Sequence, residues 1–227
     1  MTITNAINNQ QAVEINIVTF TSSGVYTPPQ NLLYAQIECV GGGGGSGAVQ
    51  LTLSNQCASA PGGGGGGYSM TIANRATLAP STTITVGSGG AGGTWGISPT
   101  NGSAGGTSIV GALCQATGGA GSLTANSSTA NEIGGAAGGV GSGGIINSLG
   151  AGGQFAVAVY TLGQSSGAGG PSRFGGNGRA RSNTRIAGIA GTNGGGGGGP
   201  SNRDFFNGLN GALGGDGIVI ITEYLAQ

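Results

Sequence analysis

The chain has no lysine and no histidine, and only twelve of its 227 residues are charged, six of each sign. Without histidine, a serine or cysteine nucleophile has no ordinary base to activate it. Without lysine there is no phosphate-cradling Walker loop. A net charge of zero gives no general attraction to nucleic acid or to an anionic membrane. Long apolar runs are missing too. No stretch reaches the roughly 18–20 residues of a membrane span, so membrane insertion is not expected. The opening Met1-Thr2-Ile3-Thr4-Asn5 lacks the basic region and apolar core of a secretory signal. Synthesis in a cytoplasm, without export through the general secretory route, is the resulting expectation.

Cysteine is scarce. Cys39, Cys57 and Cys114 are an odd number with no close pair, which does not suit a metal cluster. Cys39 is expected in a strand core, and the other two as small buried or loop residues. Neither a metal nor a cofactor is expected. Helical apolar periodicity is absent, and glycine costs about 1 kcal/mol per helix position relative to Ala.

What the chain has instead is glycine, 56 residues of it. Three blocks are homopolymeric: Gly41–Gly45, Gly62–Gly67 and Gly194–Gly199. Collagen is excluded, because the glycines keep no strict three-residue period and there are only seven prolines. Disordered chains combine high net charge with few apolar residues; this one is neutral and 37% hydrophobic. An ordered arrangement is available in principle. Polyproline-II-like strands turn once in three residues and leave their amides free to pair outward. Made of glycine, such strands can approach closely and bond backbone to backbone. The alternative is that the segments between Ser88 and Gly215 are flexible linkers. Apolar interruptions such as Ile109, Val110, Ile145, Ile146 and Leu149 need somewhere to pack and favour order.

Between the glycines lie β-like runs. Ala12–Phe20 is rich in Val, Ile and Thr. Leu32–Val40 alternates with period two: Leu33, Ala35, Ile37 and Cys39 on one face, Leu32, Tyr34, Gln36 and Glu38 on the other. Further runs are Tyr68–Ala73, Thr82–Val86, Ser108–Ala116, Phe155–Leu162 and Gly217–Leu225, the last reading as a central strand. Five Asn-Gly pairs, at Asn101, Asn177, Asn193, Asn207 and Asn210, predict tight turns. The fold class is therefore all-β: a β-sandwich of short strands, built from residues 12–40, 68–86 and 217–225, with long glycine-rich loops that can pack as polyglycine-II-like helices.

Catalytic patterns fail on inspection. Gly163-Gln164-Ser165-Ser166-Gly167 matches a hydrolase elbow, but no histidine accompanies it. Gly87-Ser88-Gly89-Gly90-Ala91-Gly92 matches a dinucleotide pattern, but no helix follows to face a phosphate. Glu38 and Glu223 could be strand neighbours, yet solvent-facing strand positions are the plainer expectation. Asp204 and Asp216 read as turn residues. No enzyme is expected.

Binding residues are easier to nominate. Arg173, Arg179, Arg181 and Arg185 put four of the six cations within thirteen residues, with Phe174 among them; Arg offers a planar fork of donors to anionic groups. Phe205 and Phe206 follow the last glycine block. Trp95, the single tryptophan, sits among small residues. An aromatic ring displayed on a scaffold suits sugar or protein contact, and burial in the core is the competing reading.

The segment Phe20-Thr21-Ser22-Ser23-Gly24-Val25-Tyr26-Thr27-Pro28-Pro29, followed by Leu33-Tyr34-Ala35-Gln36-Ile37-Glu38-Cys39-Val40 and the first glycine block, resembles the start of the glycine-rich receptor-binding domain at the tips of bacteriophage tail fibres. Gly214-Gly215-Asp216-Gly217-Ile218-Val219-Ile220-Ile221-Thr222-Glu223-Tyr224 resembles its closing strand. The resemblance divides the chain into an attachment arm at 1–18 and a glycine-rich domain at 19–227. It implies a virion protein, made in the host cytoplasm, that binds a bacterial surface polysaccharide or outer-membrane protein without cleaving it. Other tail proteins would be partners, and a homotrimer is implied. A purely structural virion role, as a decoration or connector protein, is the alternative. An ice-surface binder is a third reading, which the drifting glycine spacing disfavours.

Overall fold

Strand Leu32–Val40 sets the frame, because its apolar face needs a cover and its end feeds the first glycine block. The structure, a computed structural model, describes residues 13–179 and 185–227. Its strands in chain order are β1 (Val13–Phe20), β2 (Gly24–Tyr26), β3 (Leu32–Val40), β4 (Cys57–Ser59), β5 (Tyr68–Asn74), β6 (Thr82–Thr85), β7 (Ser108–Val110), β8 (Cys114–Ala116), β9 (Ala130–Ile133), β10 (Gly141–Ser142), β11 (Ile146–Ser148), β12 (Ala156–Val159), β13 (Gly163–Ser165), β14 (Ser201–Arg203) and β15 (Ile218–Ala226). One helical turn, α1 (Arg75–Leu78), interrupts them. The class is all-β, with every sheet antiparallel.

Two five-stranded sheets, β1-β15-β3-β5-β11 and β10-β8-β7-β6-β2, form the sandwich. Ala35, Ile37, Cys39, Val219 and Ile221 of the first pack against Ile84, Val110, Cys114 and Ala116 of the second. β15 lies between β1 and β3, as its two-sided apolar sequence leads one to expect. Residues 13–18, assigned to an arm on sequence, form most of β1 and pair with β15.

The opening and closing motifs meet inside this sandwich. The Tyr26 hydroxyl donates to Glu223 at 2.6 Å, and the Asn16 amide donates to the same carboxylate at 2.6 Å. Burial, then the Glu223 carboxylate, pushes the Tyr26 phenol well above its ordinary value. Glu223 is therefore buried, against the expectation of a solvent-facing residue. It shares the inward face of β15 with Val219 and Ile221, while Glu38 lies on the opposite face and accepts from the Tyr68 hydroxyl at 2.7 Å. The two carboxylates form no pair.

Leu33 also departs from the alternation: it is exposed and Leu32 is buried. The register explains why. Tyr224 faces Tyr34 but Leu225 faces Leu32, so Leu33 is the extra residue of a bulge, and one extra residue inverts every side chain before it. Of the apolar interruptions, Val110 is buried, but Ile145, Ile146 and Leu149 are exposed, because they lie on or beside the sheet-edge strand β11.

The glycine segments are ordered, and their hydrogen bonds show how. In the segment 41–49, Gly41 and Gly44 donate to Gly67 and Gly64. Gly42, Gly45 and Ala48 donate to Gly106, Ser103 and Thr100. Gly43, Ser46 and Val49 donate to Gly215, Ala212 and Leu209. Every third residue meets the same neighbour, which is the signature of a threefold polyproline-II-type helix. The carbonyls do likewise: those of Gly42 and Gly45 accept from Gly119 and Ser122, those of Gly43 and Ser46 from Gly90 and Gly93, and that of Gly44 from Gly197. Three donor directions and three acceptor directions give six neighbours, a hexagonal array.

The segments around 62–67 and 194–199 are enclosed in the same way. The three homopolymeric blocks are thus the three interior helices. Around them, among the described residues, nine segments form a closed ring in sequence order: 87–94, 100–107, 117–125, 134–140, 150–155, 166–171, 175–179, 186–192 and 209–216. Ring bonds such as Gly105 to Gly119, Ala120 to Ala137, Gly153 to Ala136, Thr192 to Gly176 and Gly214 to Gly90 join each to the next. Ring helices need glycine only where they face inward. In 209–216 the exposed residues Asn210, Leu213 and Asp216 recur every third position.

Glycine serves here for space, since a Cβ on Gly44 or Gly64 would run into the backbone carbonyl of Ala120 or Ala137. The Asn-Gly pairs mostly serve the same lattice. Asn193-Gly194 alone among the five forms the expected turn, with φ of 43° and 83°. Asn101, Asn177 and Asn210 instead bond their side chains to the backbone of Thr124, Gly169 and Trp95 on adjacent chain segments. Asn on the flank of a ring helix thus continues the lattice sideways.

Gly64→Ala is expected to cost about 3 kcal/mol or more, because two backbones cannot part as a side chain can. Gly96→Ala, where a Cβ would meet nothing within 4 Å, is expected to stay within about 0.5 kcal/mol. Paired denaturant titrations check the contrast.

Candidate functional site

Each bundle segment runs from the sandwich to an opposite pole. At roughly 3 Å per residue, a nine-residue segment separates the two by about 25 Å. The segment 41–49 leaves β3 at the sandwich and ends at the far pole, and 87–94 runs parallel to it. Connectors therefore alternate between poles. Among the described residues the distal ones are 50–59, 95–99, 126–133, 156–165 and 201–208.

Small sheets brace this pole. β14 pairs with β4, and β12 lies between β9 and β13. Beneath them Val49, Ala58, Ala60 and Ala125 form a small core. Outward, the pole shows apolar groups: Trp95, Ile97, Phe155, Leu162, Phe205 and Phe206 are all exposed, Ile97 at 96% and Leu162 at 86%.

The Phe205–Phe206 loop is held firmly from below. The buried Asn202 amide nitrogen lies 3.1 Å from the Phe206 carbonyl, 3.0 Å from that of Asn207 and 3.2 Å from that of Gln50. Thr52 N–H donates to Phe206 O at 3.0 Å, and Asp204 N–H to Gln56 O at 3.1 Å. So pinned, Asp204 and Phe205 both adopt φ of 44°, a region that costs a non-glycine residue about 1–2 kcal/mol. Phe205 is 75% exposed; the loop bears strain to display a phenyl ring.

Two arginines lie over aromatic faces at this pole. The Arg203 guanidinium sits 4.6 Å from the Tyr160 ring centre, and that of Arg185 sits 5.5 Å from Phe206. Arg203 also pairs with Asp204 at 3.4 Å. Trp95 is fixed through its backbone N–H, which donates to Asn210 Oδ1 at 2.9 Å, and the residue is 43% exposed rather than plugging the core.

The structure divides the residues nominated on sequence. Trp95, Arg179, Arg185, Phe205 and Phe206 belong to the distal pole. Arg173 and Phe174 do not, because they form the turn between segments 166–171 and 175–179 at the sandwich end. There Arg173 lies 5.6 Å over Tyr68, and Phe174 meets the same ring edge-on at 6.0 Å. Arg181 lies outside the described residues. Linear proximity brought this cluster together, and the reversal of direction at each connector separates it. Phe155, Ile97 and Leu162 were missed on sequence. Their signal was position: Ile97 and Leu162 sit in connectors at the same pole as Trp95, and Phe155 ends a ring segment there.

Ser165 of the elbow-like pattern ends edge strand β13, not a strand-to-helix turn. Gly87–Gly92 is a ring helix. Among the described residues, no group of three acidic, cysteine or histidine side chains stands close enough to hold a metal.

The sandwich, the glycine bundle and the two sequence motifs that meet at Tyr26 and Glu223 define a glycine-rich module with connectors displayed at one pole. The chain matches the glycine-rich domain family over residues 19–224, and belongs to it. No curated protein matches it.

Phe205→Asn, with a residue that tolerates positive φ, is expected to raise stability by about 0.5–1 kcal/mol. A thermal melt beside the parent chain checks it; a loss of similar size would mean that the ring is there for packing.

Proposed function

We propose that this chain is the receptor-binding module of a bacteriophage tail fibre and that its distal pole contacts the bacterial surface without catalysis. The observation that carries the reading is polarity. β1 and β15 pair with Val13 opposite Ala226 at the end of the sandwich farthest from the bundle. The exposed aromatic connectors stand at the opposite pole. A virion protein anchored through the sandwich would present those connectors outward on a scaffold that does not bend. Strained display of Phe205 and cation–aromatic pairing at Tyr160 and Phe206 suit a contact surface.

The ligand in this reading is a surface polysaccharide or an outer-membrane protein. The protein would be assembled in the host cytoplasm, carried on the virion and trimeric like other fibre tips. The second reading, a structural decoration or connector, uses the same scaffold without the contact role.

The test is sedimentation of purified protein with cells of candidate hosts. Binding is expected to fall at least tenfold in the triple variant Trp95→Ser, Phe205→Ser, Phe206→Ser, and to persist in Arg173→Ser, Phe174→Ser. Protein that binds virions but no cell would favour the structural reading. Loss of binding only in the sandwich-end variant would move the contact site there.

A further inference from the structure

The two buried thiols of the sandwich face each other. Cys39 of β3 and Cys114 of β8 have Sγ atoms 3.7 Å apart, one from each sheet. Both are free thiols, and both belong to the apolar core of the sandwich. Cys114 also lines a surface cavity of about 230 Å³, walled by Ile109, Gly111, Ala112, Gln115 and Gly143 around the β7–β8 hairpin. Of the two, Cys114 is the one nearer solvent, 3% exposed against 0% for Cys39. The third cysteine, Cys57, has no such neighbour; its sulfur lies near the carbonyls of Ser128 and Thr129 at the distal pole.

We propose that Cys39 and Cys114 are a peroxide-oxidisable dithiol that closes into a disulfide between the two sheets. Closure brings the sulfurs from 3.7 Å to about 2.05 Å. Cys114 is the attacking sulfur. The Cys39 S–H bonded to it favours its thiolate, holding the Cys114 thiol below the ordinary cysteine value, and the same interaction with burial drives Cys39 far upward.

The chemistry balances with hydrogen peroxide. The Cys114 thiolate attacks one peroxide oxygen, the O–O bond breaks, and the leaving hydroxide takes up the proton that Cys114 gave. This forms a sulfenic acid. The Cys39 sulfur then attacks Cys114 Sγ and displaces hydroxide, which takes the Cys39 proton. Two thiols lose two electrons, and one peroxide becomes two waters. The resulting bond ties β3 to β8 and closes a loop that contains two of the three interior glycine helices, so the stabilisation grows with loop length.

The test uses the full chain and dilute hydrogen peroxide. Expected are a mass loss of about 2 Da, for two hydrogens, and a crosslinked peptide joining Cys39 to Cys114 in a non-reducing digest. The melting temperature is expected to rise by about 5–10 °C and to return on addition of dithiothreitol, with Cys57 still titrating as a thiol. The parent chain carries these readouts without any variant. Cys39→Ala, which also removes the S–H that favours the Cys114 thiolate, is then expected to react more slowly with peroxide and to stop at a Cys114 sulfenic acid, with no crosslink and no rise in melting temperature. Oxygen uptake by Cys114 with no crosslink in the parent chain overturns the proposal. So does persistence of both thiols in folded protein, or an unchanged temperature rise in Cys39→Ala.

Discussion

The structure depends on one interaction, the hydrogen bond between backbones of neighbouring threefold helices. Each such bond is worth about 1 kcal/mol net, and ordering glycine costs more backbone freedom than ordering any other residue. The bundle offsets that cost by density. Every residue of an interior segment projects its amide or carbonyl at a different neighbour, and no side chain holds the neighbours apart. Gly44 shows the limit: its amide donates to Gly64, its carbonyl accepts from Gly197, and the space for a Cβ is filled by the Ala120 carbonyl. The core of this half of the molecule is peptide rather than hydrocarbon. The apolar core is confined to the sandwich, with a lesser cluster under the distal pole.

That arrangement was partly legible in the residues. A run of five or six glycines marks a helix enclosed on all sides, and the three such runs are the three interior helices. A pattern with one larger residue in three, as at Ser88, Ala91 and Thr94, marks a helix with one open face. The sandwich strands were legible through period-two alternation, and the Tyr26–Glu223 contact joins two segments that stood out as motifs. Other features were not. The bulge at Leu33 depends on pairing with Tyr224 and Leu225 at the other end of the chain. Burial of Glu223 depends on hydroxyl and amide donors from two other strands. The candidate site was legible as residue types but not as a place. Arg173 and Arg185 are near in sequence yet belong to opposite poles, because direction reverses at each connector.

The two halves of the molecule divide the work. Side-chain packing in the sandwich fixes where the first and last described strands lie. Backbone packing in the bundle then carries that position about 25 Å outward with little freedom to bend. The distal connectors inherit this rigidity through short sheets and the Asn202 amide. A bundle of this kind tolerates change where it is exposed, at one residue in three on the ring and in the connectors, and resists it within the three glycine blocks. That contrast between connectors and glycine blocks follows from the packing itself.

The central claim is that the three glycine blocks are the interior of a hydrogen-bonded lattice, and residue-resolved amide hydrogen exchange addresses it most directly. The account predicts that the amides of Gly42–Gly45, Gly63–Gly66 and Gly196–Gly198 exchange as slowly as those of the buried strands β3 and β15, while Gly96 and Gly134 exchange freely. Fast exchange throughout the three blocks, with protection limited to the sandwich strands, would contradict it and return the glycines to the role of linkers.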